Sequence, residues 1–98
     1  MNTPVSLEIE KLLIEKDIDM PVSPTIADVV MWLYRKHGIW VDVSTIKWNF
    51  DDNTIRFAYH ITVYIDKSPS DNINSRFDYS SPIEAYLQAI EYVIKNLI

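Results

Sequence analysis

Between Ile55 and Ile65 hydrophobic residues fall on every second position. Ile55, Phe57, Tyr59, Ile61, Val63 and Ile65 point one way, and Arg56, Ala58, His60, Thr62 and Tyr64 the other. A period of two belongs to a half-buried β-strand. The preceding run starts on odd positions (Ile39, Val41, Val43) and continues on even ones (Ile46, Trp48, Phe50). A change of phase needs one extra residue, which predicts a β-bulge at Ser44-Thr45. A hairpin over Asp51–Thr54 then pairs Phe50 with Ile55, Trp48 with Phe57 and Ile46 with Tyr59. Past the bulge it pairs Val43 with Ile61, Val41 with Val63 and Ile39 with Ile65. That register puts every apolar pair on one face. The polar stretch Lys67–Asn72 reads as a loop. Ile73–Tyr79 reads as a third, weaker strand with Phe77 and Tyr79 inward.

Helical periodicity flanks this β region. Three hydroxyl-proline pairs, Thr3-Pro4, Ser23-Pro24 and Ser81-Pro82, precede apolar residues at helical spacing, and each reads as an N-cap followed by proline at the first helical position. Ser68-Pro69 precedes no such pattern. After Ser81 the stripe Ile83, Leu87, Ile90, Ile94 and Leu97 predicts a helix over 82–97, with Glu84 closing a capping box and Glu91–Lys95 as an i,i+4 pair. Ala85, Ala89 and Tyr92 form a separate strip of this helix. After Ser23, Ile26, Val29, Val30 and Leu33 mark a second helix. It ends at Arg35-Lys36-His37, where cations suit the dipole, and Gly38 fits a left-handed C-cap with Ile39 packing back. After Thr3, Val5, Ile9, Leu12 and Leu13 mark a short helix ending near Lys16, with Leu7 and Ile14 on its other side. Asp17–Val22 reads as an extended connector. The order is α-α-β-β-β-α: a single α+β domain over residues 1–98, a three-stranded antiparallel sheet with helices packed on one face.

Composition narrows the function classes. The chain has 98 residues, 48% hydrophobic and 23% charged, and no cysteine. Disulfides, cysteine metal sites and cysteine nucleophiles are therefore excluded. A formal net charge of −5 disfavours nucleic acid and anionic membrane surfaces. The first thirty residues carry Glu8, Glu10, Glu15, Asp17 and Asp19 in place of a signal peptide's basic start and unbroken apolar run, and no apolar stretch approaches ~18 residues. A cytoplasmic protein without membrane contact is expected.

The chemistry-bearing residues are few. His37 ends a helix and His60 faces outward from mid-strand, while a zinc site needs at least three convergent ligands. Asp51-Asp52-Asn53 lacks the glycine and closing glutamate of a calcium loop and reads as hairpin residues. With no activated nucleophile and no glycine-rich phosphate loop, neither an enzyme nor a cofactor is expected. The two-layer core resembles the α-β-β-β-α order of double-stranded RNA-binding domains in topology. Those domains hold phosphates with lysines at the start of the last helix, where this chain has Ser80-Ser81-Pro82-Ile83-Glu84. More broadly, Ser23–Val41 ("SPTIADVVMWLYRKHGIWV"), a polar-ended hairpin and Ser80–Ile98 ("SSPIEAYLQAIEYVIKNLI") resemble small uncharacterised proteins of anaerobic gut bacteria and their phages, over roughly residues 10–98. Tyr34-Arg35-Lys36 stands where those proteins often carry Arg-Glu-Lys. The resemblance implies a phage or mobile-element setting and no particular chemistry.

Among the tryptophans, Trp48 is expected in the core and Trp32 at its boundary. Trp40 points away from the apolar face, opposite Tyr64 in the bulged register, with Asp42 opposite Thr62 and with His60 and Arg56 further along. An aromatic pair with a polar rim suits an interface. The expected function is a non-enzymatic protein–protein interaction module, binding a protein partner or itself through Trp40, Tyr64, Asp42, Thr62, His60 and Arg56. The small-residue strip of the last helix is a second supporting feature. The alternative is an acidic nucleic-acid mimic that inhibits a host enzyme. The N-terminal helix folding back, with Leu7 or Ile14 over Trp40 and Tyr64, would make the pair internal packing instead.

Overall fold

The computed structural model describes residues 3–49 and 54–98, with the backbone alone for 46–49. The order is α1 (Leu7–Glu15), α2 (Ile26–His37), β1 (Ile39–Asn49), β2 (Thr54–Ile65), β3 (Ser68–Asn74) and α3 (Pro82–Asn96). The strands form one antiparallel sheet in the order β1-β2-β3. Helix α3 packs against β1 and β2, α2 against β1, and α1 against α3. This is the expected α+β architecture. The anticipated positions of Phe50, Asp51–Asn53 and the Trp48 side chain lie outside the described residues.

Helix termini follow local hydrogen-bonding chemistry, and this moves two of the predicted starts. Helix α1 is capped by Ser6, whose hydroxyl accepts the Ile9 N–H, so Thr3-Pro4 is not its cap. Pro4 instead forms a bridge with Thr25, flanked by Val5 N–H to Pro24 O and Ile26 N–H to Thr3 O. Helix α2 starts after Thr25. The Thr25 hydroxyl accepts the Asp28 N–H, and the Asp28 carboxylate accepts the Thr25 N–H. That reciprocal box satisfies two orphan donors at once and outcompetes the cap read at Ser23. Ser23 instead takes a positive φ of 54° in the connector. Helix α3 begins at Pro82 as expected, with Ser81 accepting the Glu84 N–H. Its box is half made, because the Glu84 carboxylate takes the Ser80 hydroxyl rather than reaching back to the Ser81 N–H.

Gly38 ends α2 with φ 66° and ψ 29°, as anticipated. Its N–H bonds to the Tyr34 carbonyl, and its own carbonyl accepts the Tyr64 N–H at 2.8 Å. One residue therefore closes the helix and opens the sheet. A Cβ here would stand 2.8 Å from the Tyr64 carbonyl oxygen, so the position excludes a side chain both by conformation and by contact.

The β1–β2 register corrects the expected one by two residues. Ile39 pairs with Val63, Val41 with Ile61 and Val43 with Tyr59, and the irregularity falls between Thr45 and Lys47 rather than at Ser44-Thr45. A slip of two keeps every side chain on its face, so the hydrophobic pattern alone does not detect it. The third strand is also displaced. Ser68–Asn74 pairs with β2 through a tight turn at Asp66-Lys67, both at positive φ (51° and 66°). The stretch expected to be a loop is thus an edge strand, and Pro69 is tolerated there because its missing N–H costs an edge little. Of the segment read as strand three, Tyr79 joins the sheet by a bridge to Phe57, while Phe77 is 73% exposed rather than inward.

The core gathers Ile9, Leu13, Ile26, Val29, Leu33, Val41, Ile61, Ile90, Val93 and Ile94, with no buried polar or charged residue among those described. Ala85 and Ala89 are fully buried. The strip read as a second surface feature is therefore where α3 seats closely on its own domain, and it offers no interface. Ile83, placed in the buried stripe by its spacing, is exposed instead. Helix α1 docks through Ile9 and Leu13, with Val5 buried just before its cap, and leaves Leu7 and Ile14 67% and 77% exposed.

Candidate interaction surface

All six anticipated surface residues lie on the sheet face away from the helices or at its margin. Their pairing differs from expectation through the two-residue slip. Trp40 pairs with Thr62 rather than Tyr64, and Asp42 with His60 rather than Thr62, while Tyr64 sits opposite Pro69 on β3.

What covers the aromatics is neither α1 nor an empty margin. Tyr34, from the last turn of α2, meets Trp40 edge-on (ring centroids 5.6 Å, 80°) and Tyr64 edge-on (6.3 Å, 89°). Edge-to-face rings at this spacing are mutually attractive through their quadrupoles. Trp40 and Tyr64 are consequently half-buried, and Tyr34 remains 47% exposed. With Met31 the three rings line an open recess of about 420 Å³. Sequence reasoning missed Tyr34 and Met31. The available signal was their i,i+3 spacing, one row off the α2 core stripe and pointing toward the Gly38 turn.

Next to the rings runs a polar row across all three strands. The His60 Nε2 lies 2.7 Å from Ser44 Oγ, and its Nδ1 lies 2.6 Å from Asn74 Oδ1. In the tautomer of neutral His60 that satisfies both contacts, Nδ1–H donates a hydrogen bond to the amide oxygen and Nε2 accepts one from the Ser44 hydroxyl. Serine, imidazole and an orienting amide in line are the pieces of a nucleophile–base–orienter arrangement, which the residues' separation along the chain concealed. An acyl-transfer site also needs aligned donors for an oxyanion. Ser44 lies in the middle of β1, opposite Ala58, at a position whose backbone groups serve the ladder with β2. The row therefore reads as a satisfied polar surface. Farther along, Arg56 holds Asp78 through Nε (3.0 Å) and Nη2 (2.8 Å). His37, the other histidine, lies apart, edge-on to Trp32 at 5.0 Å.

Strand direction fixes which backbone groups face outward. The Tyr64 N–H to Gly38 O bond makes 38–64 a bonded pair, so the even residues of β1 serve the ladder and Ile39, Val41 and Val43 present N–H and C=O at the free edge. At that edge Asp42 Oδ1 accepts the Val43 N–H at 2.9 Å. The opposite edge repeats the device, with Asp71 Oδ1 accepting the Asn72 N–H at 2.8 Å. Asp42 also raises the pKa of the Tyr86 hydroxyl, second to burial.

No helix among the described residues is long and apolar enough to cross a membrane. No family model, curated protein or solved structure matches the chain.

Proposed function

We propose that this chain is a non-enzymatic protein-interaction module that works through the open face of its sheet. The observation that carries this reading is the ring cluster of Tyr34, Trp40 and Tyr64, held edge-on at one end of a face over which no described helix packs. Locked aromatics lose little side-chain entropy on binding, and a recess among them can seat an apolar side chain of a partner. Asp42, Thr62 and His60 supply a polar rim beside it, and Arg56, already paired with Asp78, contributes less. The mobile-element setting implied by the resemblance suits a small module that acts on a host protein.

The test is quantitative capture of a stoichiometric partner by the wild-type chain and by Met31→Ser/Tyr34→Ser. Both residues are exposed, so the variant should stay folded by circular dichroism. Loss of the partner with the fold intact supports the reading, and unchanged capture by the folded variant removes this face from the function.

A further inference from the structure

Three exposed serines donate their hydroxyls to acceptors of very different basicity. Ser70 donates to the Val63 carbonyl at 3.0 Å, which cannot take the proton. Ser80 donates to the Glu84 carboxylate at 2.8 Å, a weaker base than imidazole. Ser44 donates to His60 Nε2 at 2.7 Å, and imidazole is the side-chain base suited to neutral pH. The ring is held for this by its Nδ1, 2.6 Å from Asn74 Oδ1. Ser44 comes from β1, His60 from β2 and Asn74 from β3, so the sheet itself sets the line. Asp42 stands directly across the ladder from His60, which places a carboxylate opposite a ring that would become positive on taking the serine proton. No described helix packs over this face, so Ser44 is open to a reagent from solvent.

We propose that Ser44 is a site of covalent acylation, taking one acyl group from an activated donor, a thioester or an aryl ester. His60 is the general base and Asn74 the positioning residue. Ser44 Oγ attacks the acyl carbon, an Oγ–C bond forms, and the hydroxyl proton passes to His60 Nε2. The bond from the acyl carbon to the donor's sulfur or oxygen breaks, and its electron pair leaves with the thiolate or aryloxide. His60 then returns its proton to that leaving group. The products are an ester on Ser44, a free thiol or phenol, and neutral His60. Asn74 Oδ1 accepts the Nδ1–H throughout and keeps Nε2 turned toward the serine. The backbone groups of Ser44 serve the ladder, so no aligned donors stabilise an oxyanion and water does not clear the ester rapidly. The reaction therefore stops at one acyl group per chain and makes the protein a modified module rather than a catalyst. It stands independently of the ring cluster and of any protein partner.

The experiment exposes the folded full chain to p-nitrophenyl acetate at neutral pH and follows acetylation of each hydroxyl by peptide mass spectrometry. Ser70 and Ser80 serve as references within the same molecule, so reaction at amines does not enter the comparison. The expected result is acetylation of Ser44 roughly tenfold or more faster than of Ser70 or Ser80. His60→Gln, checked for folding by circular dichroism, should abolish that advantage. Asn74→Leu should lower it, and Asn74→Asp, which keeps an acceptor for Nδ1–H, should restore it, a rescue that a purely structural role of Asn74 would not give. Wild-type Ser44 reacting no faster than Ser70 overturns the proposal, as does an advantage that survives His60→Gln in a folded chain. An undiminished rate in Asn74→Leu overturns the part assigned to Asn74.

Discussion

The two faces of β2 are written by alternate residues of the same strand, yet they are held by different physics. On the helix side Tyr59 and Ile61 lie against α3 and its neighbours and are buried by apolar contact. On the other side His60, Thr62 and Tyr64 are half-buried, and their order comes from directed interactions: an imidazole between a hydroxyl and an amide, and rings meeting edge to face. A buried face is sensitive to volume. An open face is sensitive to the few contacts that give its side chains one orientation, and those can be altered without unfolding the protein.

The largest expected contrast sets neighbouring residues against each other. Ile61→Ala empties a site with no exposure and should cost about 3–4 kcal/mol in urea unfolding. Thr62→Ala, one residue away on the open face, should stay within about 0.5 kcal/mol. Similar losses at both positions would break the distinction.

Gly38 is where the faces are joined, because its carbonyl receives the Tyr64 N–H while its N–H closes α2. Gly38→Ala should cost about 2–4 kcal/mol, combining a left-handed φ with a Cβ 2.8 Å from a backbone oxygen. Since the backbone that must give way belongs to Tyr64, the ring cluster should loosen as well, read as changed near-ultraviolet circular dichroism. A cost below about 0.5 kcal/mol would show that the turn has another conformation.

The helix side also predicts a response to alkali. Burial, followed by Tyr79 and Tyr92, raises the Tyr59 pKa above the ordinary tyrosine value of 10.0, and burial followed by Glu84 raises that of Tyr79. In the unfolded chain these hydroxyls lose their protons first, so their contribution to stability is intact below pH 10 and declines as pH rises through the folded values. Urea midpoints should fall above pH 10, and Tyr59→Phe with Tyr79→Phe should flatten the decline. An unchanged slope in the double variant would count against burial of these hydroxyls.

On the open face, Tyr34→Ala removes two edge-to-face contacts and should lower stability by about 1–2 kcal/mol while leaving Trp40 and Tyr64 more accessible. Tyr34→Phe should restore stability, because the geometry uses the ring rather than the hydroxyl. If Tyr34→Ala melts like the wild type, the rings are neighbours without being coupled.

These particulars also show what the sequence disclosed. The alternation placed Tyr59 and Ile61 in the core and His60 and Thr62 outside it, although Ile55 and Ile65 at the strand ends are exposed and Ala58 on the outward face is buried, and the same period of two hid the two-residue slip. Gly38 was legible because helix end, basic last turn and lone glycine agreed. The true starts of α1 and α2 were obscured because hydroxyl-proline is a local signal, and Thr25 with Asp28 makes more bonds than Ser23 with Pro24 offers. Strand β3 was hidden because only its Ile73 is even partly buried, and its Asp66-Lys67 turn uses positive φ without glycine. Trp40, Tyr64 and His60 were correctly placed on the outer face. Their partners Tyr34, Ser44 and Asn74 come from other elements, and no pattern within one strand reports them.

The smallest expected effect on folding concerns the edges that bound both faces. Strand β1 runs eleven residues along one side of the sheet and contains no proline, the kind of edge on which another strand can grow. Strand β3 is shorter and carries Pro69. At each edge an aspartate occupies an outward N–H, Asp42 on Val43 and Asp71 on Asn72. Because the bond is local and exposed, Asp42→Ala should change unfolding stability by no more than about 0.5–1 kcal/mol. It frees a donor in the middle of the longer edge, however, and removes a charge that would repel a second copy placed alongside. Asp42→Ala should therefore form larger assemblies than the wild type at high concentration, seen by light scattering, while Asp71→Ala forms fewer because Pro69 still interrupts its edge. If both variants remain as dispersed as the wild type, the aspartates are incidental to edge protection. If Asp71→Ala is the one that assembles, the exposed side of the sheet is β3, and the assignment of the vulnerable edge is reversed.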